Sequence, residues 1–382
     1  MDNSDPASPL RQVEGDNNMT RFFLTFLAMM GPVVGGCDDG NGDDDGAVRV
    51  ENDATLCSDK KDNDDDGAVD CDDAECSSFC VDADTEDEVS TDPDERHLLL
   101  RDEGNSVLHY IDLANEENSW HVDIPSGRDM QLVGGGRVLI GTERGYQEHD
   151  IATGDVVDEL TTFSGTIAAR RLRNGNTLLV GTNWRGETGI VLVEVDADGE
   201  VVHTISYAEY DYARLVRETV DDTFLVTSNT QIVELDRDGN LVWEATVDGS
   251  SEPHAWMAVR LGNGETVVSC GYAANLQFFD AEGEFVRKIT AGTMDARPFF
   301  FAGFQILDTG NIVLTNWQDH GAGHGDSGLQ VLEYEADDGD LVWYWEQDPS
   351  YISSLQAVIV LDGLDLDKLH VEDENGILAP VD

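Results

Sequence analysis

The sequence predicts an all-β chain whose larger part is a six-bladed β-propeller, preceded by an acidic segment that is either disordered or braced by disulfides. Three observations point there. A unit of about forty residues recurs from His97 onward, and this is the period of a four-stranded propeller blade. Each copy carries a glycine turn after its first strand and an Asp-rich glycine turn before its fourth, where tight hairpins need the positive φ that glycine supplies. The first copy lacks one strand, and the C-terminal part of the chain holds a spare.

Composition sets the outer bounds. With 382 residues and 40% hydrophobic content there is enough apolar material for a sizeable core. The 79 acidic residues against 22 basic ones give a formal charge of −57. A polyanion is repelled along most of such a surface, so DNA and RNA are excluded as partners. Lysine occurs only at Lys60, Lys61, Lys288 and Lys368, a balance that resembles proteins of salt-rich settings.

Residues 1–36 read as non-structural. The first eighteen are acidic and precede a second methionine, which points to Met19 as the start; Arg21 and the apolar stretch Phe22 to Val34 follow. This is the layout of a secretory signal. A transmembrane anchor is the rival, but the stretch is shorter than the roughly 20 residues that span a bilayer. The ending Val34-Gly35-Gly36-Cys37 resembles a bacterial lipobox. The resemblance implies lipid on Cys37, attachment to a membrane through that lipid, and a place in the cell envelope. Asp38 resembles an inner-membrane retention signal, a rule that varies among bacteria, so the leaflet stays open.

Residues 37–95 form a linker, and from Asp38 to Glu95 twenty-four Asp and Glu face only Arg49, Lys60 and Lys61. Without counter-cations such a segment repels itself and stays extended. Export makes its cysteines readable: Cys57, Cys71, Cys76 and Cys80 form an even set, expected as two disulfides in one of three pairings. A zinc site is the rival, disfavoured by the spacing and the oxidising compartment. Cys270, in the apolar run "ETVVSCGY", reads as a buried small hydrophobe.

Within the linker, "DNDDDGAVDCDD" from Asp62 places Asp62, Asp64 and Asp66 at positions 1, 3 and 5, Gly67 at 6, Ala68 at 7, Asp70 at 9 and Asp73 at 12. That is the ligand spacing of an EF-hand calcium loop, whose hard oxygens and sharp glycine turn suit Ca²⁺. Position 12 is Asp in place of Glu, and no amphipathic helix flanks the loop. An earlier copy offers Asn41, Asp43 and Asp45 but puts Arg49 at position 9 and Asn52 at 12. A solvated acidic spacer is the alternative. The segment Cys57 to Cys80 resembles the helix-less, cysteine-bracketed loops of thrombospondin type 3 repeats and Asp-rich segments of bacterial lipoproteins, which again implies bound Ca²⁺.

The propeller spans residues 96–372, with 373–382 as a tail. First-turn copies are "LRNGN" at Leu172, "LGNGE" at Leu261 and "LDTGN" at Leu307; the second turns centre on Gly154, Gly199, Gly239, Gly283 and Gly339. The last interval is lengthened by the insertion "QDHGAGHGDSG", Gln318 to Gly328. Full units cover 128–163, 165–207, 213–247, 254–290 and 299–347, while "HLLLRDE", "SVLHYIDL" and "SWHVDIP" supply only second, third and fourth strands. The missing first strand is expected from "LQAVIVLDG", Leu355 to Gly363, which clasps the two ends into one sheet and leaves no edge exposed. A seven-bladed ring that recruits the tail is the alternative.

Through "NGNTLLVGT" and "DGNLVWE" the units resemble the propellers of bacterial aryl-sulfate sulfotransferases and of quinoprotein-like (PQQ-like) lipoproteins. These motifs are structural, and a shared fold does not carry function. First-strand starts and the loops between second and third strands share one face of a propeller. There the sequence gathers His254, Tyr212, Trp256, Arg297 and the two "TNW" loops with Trp184, Arg185 and Trp317. The sulfotransferase resemblance implies His254 as nucleophile with Arg185 or Arg297 holding a transferred anion. His320, His324 and Asp326 on the insertion form a weaker candidate cation site, with floppy glycine spacers. A quinone is disfavoured because only "ATGDVVDEL" approaches its docking motif, without the tryptophan. The leading expectation is therefore binding or scaffolding, with a protein or small molecule on the aromatic face; a periplasmic transferase is the alternative.

Overall fold

A computed structural model describes residues 93–248, 254–290 and 296–381. Every described residue belongs to one compact unit, Glu86–Asp382. The signal, Cys37, the four clustered cysteines and the Asp62–Asp73 loop lie outside the described residues.

Among the described residues the strands form six four-stranded antiparallel sheets and one two-stranded sheet. Five of the large sheets use consecutive strands. The second blade runs from Met130–Gly134 to Val156–Leu160, the third from Ala168–Arg171 to Val201–Tyr207 and the fourth from Val216–Glu218 to Leu241–Thr246. The fifth runs from Ala255–Arg260 to Phe285–Thr290, and the sixth from Phe300–Ile306 to Leu341–Trp345. The first blade is composite: Leu355–Val360 pairs antiparallel with His97–Asp102, setting Leu99 opposite Ile359 and Arg101 opposite Ala357. Each first strand touches that of the next blade around the full circuit, including Phe300–Ile306 against Leu355–Val360. The ring therefore closes with six blades, and the C-terminal strand is the clasp.

Burial explains why these segments become these strands. A middle strand has neighbouring blades on both faces, so it reads as a continuous apolar run, as in Ile190–Val195, buried throughout. Fourth strands lie at the rim and leave Leu241, Val242, Phe285 and Val286 exposed. In the turns, Gly175, Gly264 and Gly310 all take φ +86° and the second-turn glycines lie between +75° and +84°. The aspartate opening the second turn accepts backbone N–H groups two and four residues on, as Asp196 does from Asp198 and Glu200, which is why that turn is Asp-rich. Neighbouring blades are tied by arginines reaching to third-strand glutamates: Arg171 to Glu148 at 2.6 Å, Arg237 to Glu194 at 2.5 Å, and Arg260 to Glu234.

The segment after the clasp does not add a seventh blade. His370–Glu372 and Leu378–Pro380 form a hairpin, bridged to the second blade through Leu369 and Val133 and to the sixth through Ile377 and Ile306. The boundary expected between 372 and 373 thus falls inside a hairpin, because the segment has its own pairing partner.

Candidate functional site

The ring's two ends are built from the same residue types used differently. At one end the hairpin enters the channel and places Glu372, fully enclosed, between Arg170 and Arg217. Arg170 Nη2 donates to both Glu372 oxygens at 2.7 Å, and Arg217 Nε lies 2.8 Å from Oε1. Arg217 also reaches both Asp129 oxygens, at 2.8 and 3.1 Å. Burial alone would raise the Glu372 pKa, but the two guanidiniums outweigh it and hold the carboxyl below its ordinary value. A space of about 30 Å³ remains beside this network, roughly the room of a single water.

At the other end lies a cavity of about 570 Å³, within the size range of small-molecule sites. Gln356 of the clasp strand borders both spaces. The cavity wall is assembled from first-strand starts. Arg128 precedes Met130–Gly134, Tyr212 and Arg214 precede Val216–Glu218, and His254 precedes Ala255–Arg260, whose second residue is Trp256. Tyr272 sits on the 3-10 turn Gly271–Ala273, Phe300 opens the sixth blade, and Trp317 ends Ile312–Trp317.

The aromatic side chains form a continuous wall. Trp256 meets Phe300 edge-on at 5.4 Å between centroids, Phe300 meets Tyr272 at 4.8 Å and Trp317 at 5.1 Å, and Trp317 meets His320 at 4.7 Å. Edge-to-face contacts at these distances lock the rings in place. Opposite charge behaviour marks the rest of the wall. The Arg214 guanidinium carbon lies 5.0 Å from the centroids of both Tyr212 and Trp256, and Arg128 stands 5.4 Å over Trp256. Arg214 Nε and Trp256 Nε1 are buried donors without an acceptor among the described residues. Burial is the main cause that lowers the Arg214 pKa to about 10, with Arg128 adding repulsion. Burial raises the Tyr212 pKa, yet Arg128 and Arg214 outweigh it and the net shift is downward.

Arg101 is also buried in this wall, but its donors are spent on the carbonyls of Asp129, Gly141 and Pro125, so it pins the loop between the first and second blades. Asp102 accepts the Ser353 and Ser354 N–H groups at 2.7 and 2.9 Å, and Glu103 accepts from the Trp317 indole at 3.0 Å and pairs with His320 at 2.8 Å. His254 adopts φ 52°, an unusual left-handed conformation for a non-glycine residue and one that concentrates at functional positions. Its Nδ1 faces Arg214 Nη2. A guanidinium only donates, so Nδ1 accepts and the ring proton resides on Nε2.

Of the residues singled out from sequence, Tyr212, His254, Trp256, Trp317 and His320 come together on this cavity. Trp184 does not line it. Asn183 takes φ 46° after the strand Thr177–Thr182 ends, and Trp184 turns to pack on Phe163 while donating to the Ser164 carbonyl at 2.8 Å. Arg185 follows it, stacked 5.0 Å over Phe163. Arg297 lines a separate surface depression with Phe299, Gln318 and Asp319. The cation site expected from His320, His324 and Asp326 is not assembled: among the described residues no group of three His, Cys, Asp or Glu is placed to hold a metal. Gly321 and Gly323, both at positive φ, separate the members, so His320 turns to Glu103 and the His324 N–H to Ser353 Oγ. Cys270 is free and wholly buried, and burial pushes its thiol well up, as fits a packing residue.

No family model matches the chain, and no curated protein does. Solved structures do resemble it. A protein of unknown function from Bacteroides caccae gives a TM-score of 0.56 at 20% identity, covering 69% of this chain and 98% of its own. A streptogramin B lyase gives 0.46 at 13% identity, with 68% and 86% covered. The calcium-binding protein regucalcin from Agrobacterium tumefaciens gives 0.45 at 15%, with 70% and 94% covered. At these identities the likeness to the Bacteroides protein extends to the fold, a β-propeller, and no site residue is carried across.

Proposed function

We propose that this chain is an exported, lipid-anchored binding protein of the cell envelope, whose propeller holds a small molecule in the cavity walled by Trp256, Tyr272, Phe300 and Trp317. The supporting observation is that cavity: about 570 Å³ and rimmed by aromatic rings held in mutual edge contact. Concave pockets of this size with an aromatic lining are where small molecules bind. The transferase alternative needs a lone pair on the reacting nitrogen of His254, and a proton on Nε2 suits donation better than attack. Binding is therefore the better reading.

Equilibrium dialysis of the full chain against the small-molecule fraction of a cell extract, read by mass spectrometry, tests it. The wild type is expected to retain one or a few species that Trp317→Ala loses; no retention, or equal retention by the variant, contradicts the reading. The lipid anchor and calcium-stabilised stalk are carried by Cys37 and by Asp62, Asp64, Asp66, Ala68, Asp70 and Asp73. Cys37→Ser should move the protein from the membrane to the soluble fraction. With a dissociation constant on the order of 10⁻⁴ to 10⁻³ M, as in other extracellular modules, 1 mM Ca²⁺ should stabilise the stalk by about 0.4 to 1.4 kcal/mol. Asp64→Asn should abolish that gain in a thermal melt.

A further inference from the structure

Resting on the reading of the cavity as a small-molecule site, we infer that its ligand is an organic anion with a flat aromatic body, the charged group lying on the side of Arg128 and Arg214.

The first support is the pairing of charges. In a chain with 79 acidic residues and 22 basic ones, carboxylates are plentiful enough to answer most arginines, and at the hairpin end and between blades they do so. Arg128 and Arg214 have no such partner within ion-pair distance among the described residues, although Arg214 is only 5% exposed. Two guanidiniums in one wall repel each other, and keeping them there unpaired is costly in the absence of an anion. Arg214 is held in place all the same, sandwiched by Tyr212 and Trp256 with one Nη engaged by His254. Its Nε and the indole N–H of Trp256 are both closed off from the cavity, so what Arg214 brings to the wall, together with Arg128, is guanidinium charge that no carboxylate among the described residues neutralises. A planar oxyanion in the cavity answers that charge.

The cavity's own carboxylates do not serve that purpose. Asp102 is consumed by the Ser353 and Ser354 amides and Glu103 by Trp317 and His320 on the first-blade side. The third lining carboxylate, Glu143, is exposed to solvent, so the wall is divided between carboxylates that are engaged or solvated and guanidiniums without a carboxylate partner among the described residues. Between them run Phe300, Tyr272 and Trp317, three rings in mutual edge contact, with Tyr272 still 41% exposed. That surface suits a flat apolar body and supplies it with ring faces and edges.

Calorimetric titration of the full chain with 2-naphthoate, its neutral isostere 2-naphthamide and the cation 2-naphthylmethylammonium separates the possibilities. The expected result is 2-naphthoate binding about tenfold or more tightly than 2-naphthamide, a difference of the size charged hydrogen bonds supply. Arg214→Gln and Arg128→Gln should each bring 2-naphthoate to the affinity of the amide and leave the amide within about twofold. Arg128 is less buried than Arg214, so its variant tests the idea even where the Arg214 variant fails to fold. Equal binding of acid and amide overturns the anion assignment and leaves the binding reading standing. Tighter binding of the ammonium overturns it in favour of the carboxylate side. No binding of any of the three, with no small molecule retained in dialysis, removes both.

Discussion

The two ends of the channel set the same chemistry to opposite uses. At the hairpin end, Arg170 meets Glu372 and Arg217 meets Asp129 within hydrogen-bond distance; about 30 Å³ is left beside them, and a second space of about 550 Å³ also borders Arg217 and Glu372. At the far end, Arg128 and Arg214 face aromatic rings and about 570 Å³ of space, and no carboxylate among the described residues pairs with them. Burial is comparable for Arg170 and Arg214, so it does not separate the two. What separates them is whether the chain supplies the counter-charge. Where it does, the arginine closes the fold; where the described residues supply none, the arginine stands open to an anionic ligand. Local rules broken without compensation are expected at functional sites.

The contrast can be broken most forcefully at the hairpin. Glu372→Ala leaves Arg170 and Arg217 buried against each other, and removing one partner of a buried pair costs about 3–5 kcal/mol; urea denaturation should show that loss. A change below about 1 kcal/mol would mean that the hairpin end is not structural. At the open end the same kind of truncation should act on binding. Arg214→Met is expected to weaken 2-naphthoate binding about tenfold while stability stays the same or rises by about 1 kcal/mol, because a buried unanswered donor is removed.

Acidity sharpens the comparison with a smaller effect. The Glu372 carboxyl is depressed, so its stabilisation is fully present above the unfolded pKa of about 4.3 and is lost as pH falls through the folded value below that. The stability gap between wild type and Glu372→Gln should therefore be constant near neutrality and shrink in strong acid. At the open end the sign reverses. Tyr212 has its pKa lowered by Arg128 and Arg214 against the effect of burial, so raising the pH through that value places a phenolate beside both guanidiniums. Anion binding should weaken there, and Tyr212→Phe should change the position of the alkaline limb, leaving the part that loss of the Arg214 charge causes.

The wheel was legible because its signals repeat. The glycines at positions such as Gly199 and Gly283 are needed by turns with positive φ, and the apolar run at Leu355 had to pair with the strand at His97 once the first blade was seen to be short. The hairpin was not legible, because nothing after Gly363 shares the blade period and Glu372 finds its partners two hundred residues away. Within the site, Tyr212, His254, Trp256 and Trp317 were visible as chemistry-bearing residues near strand ends. Arg128 and Arg214 were missed, although they precede their first strands much as His254 precedes Ala255; aligning the strand starts blade by blade would have exposed them. The twin "TNW" loops misled for a local reason. Trp317 still belongs to its strand, while Trp184 follows a chain reversal at Asn183 that turns it into the space between blades.

A crystal structure of the full chain soaked with 5-bromo-2-naphthoate tests the central claim most directly, since bromine reports the ring and the density reports the carboxylate. The account expects the carboxylate within about 3.2 Å of a guanidinium donor on Arg128 or Arg214, with bromine against Tyr272, Phe300 or Trp317. A carboxylate turned to solvent, or bromine signal only in the depression beside Arg297, would contradict it.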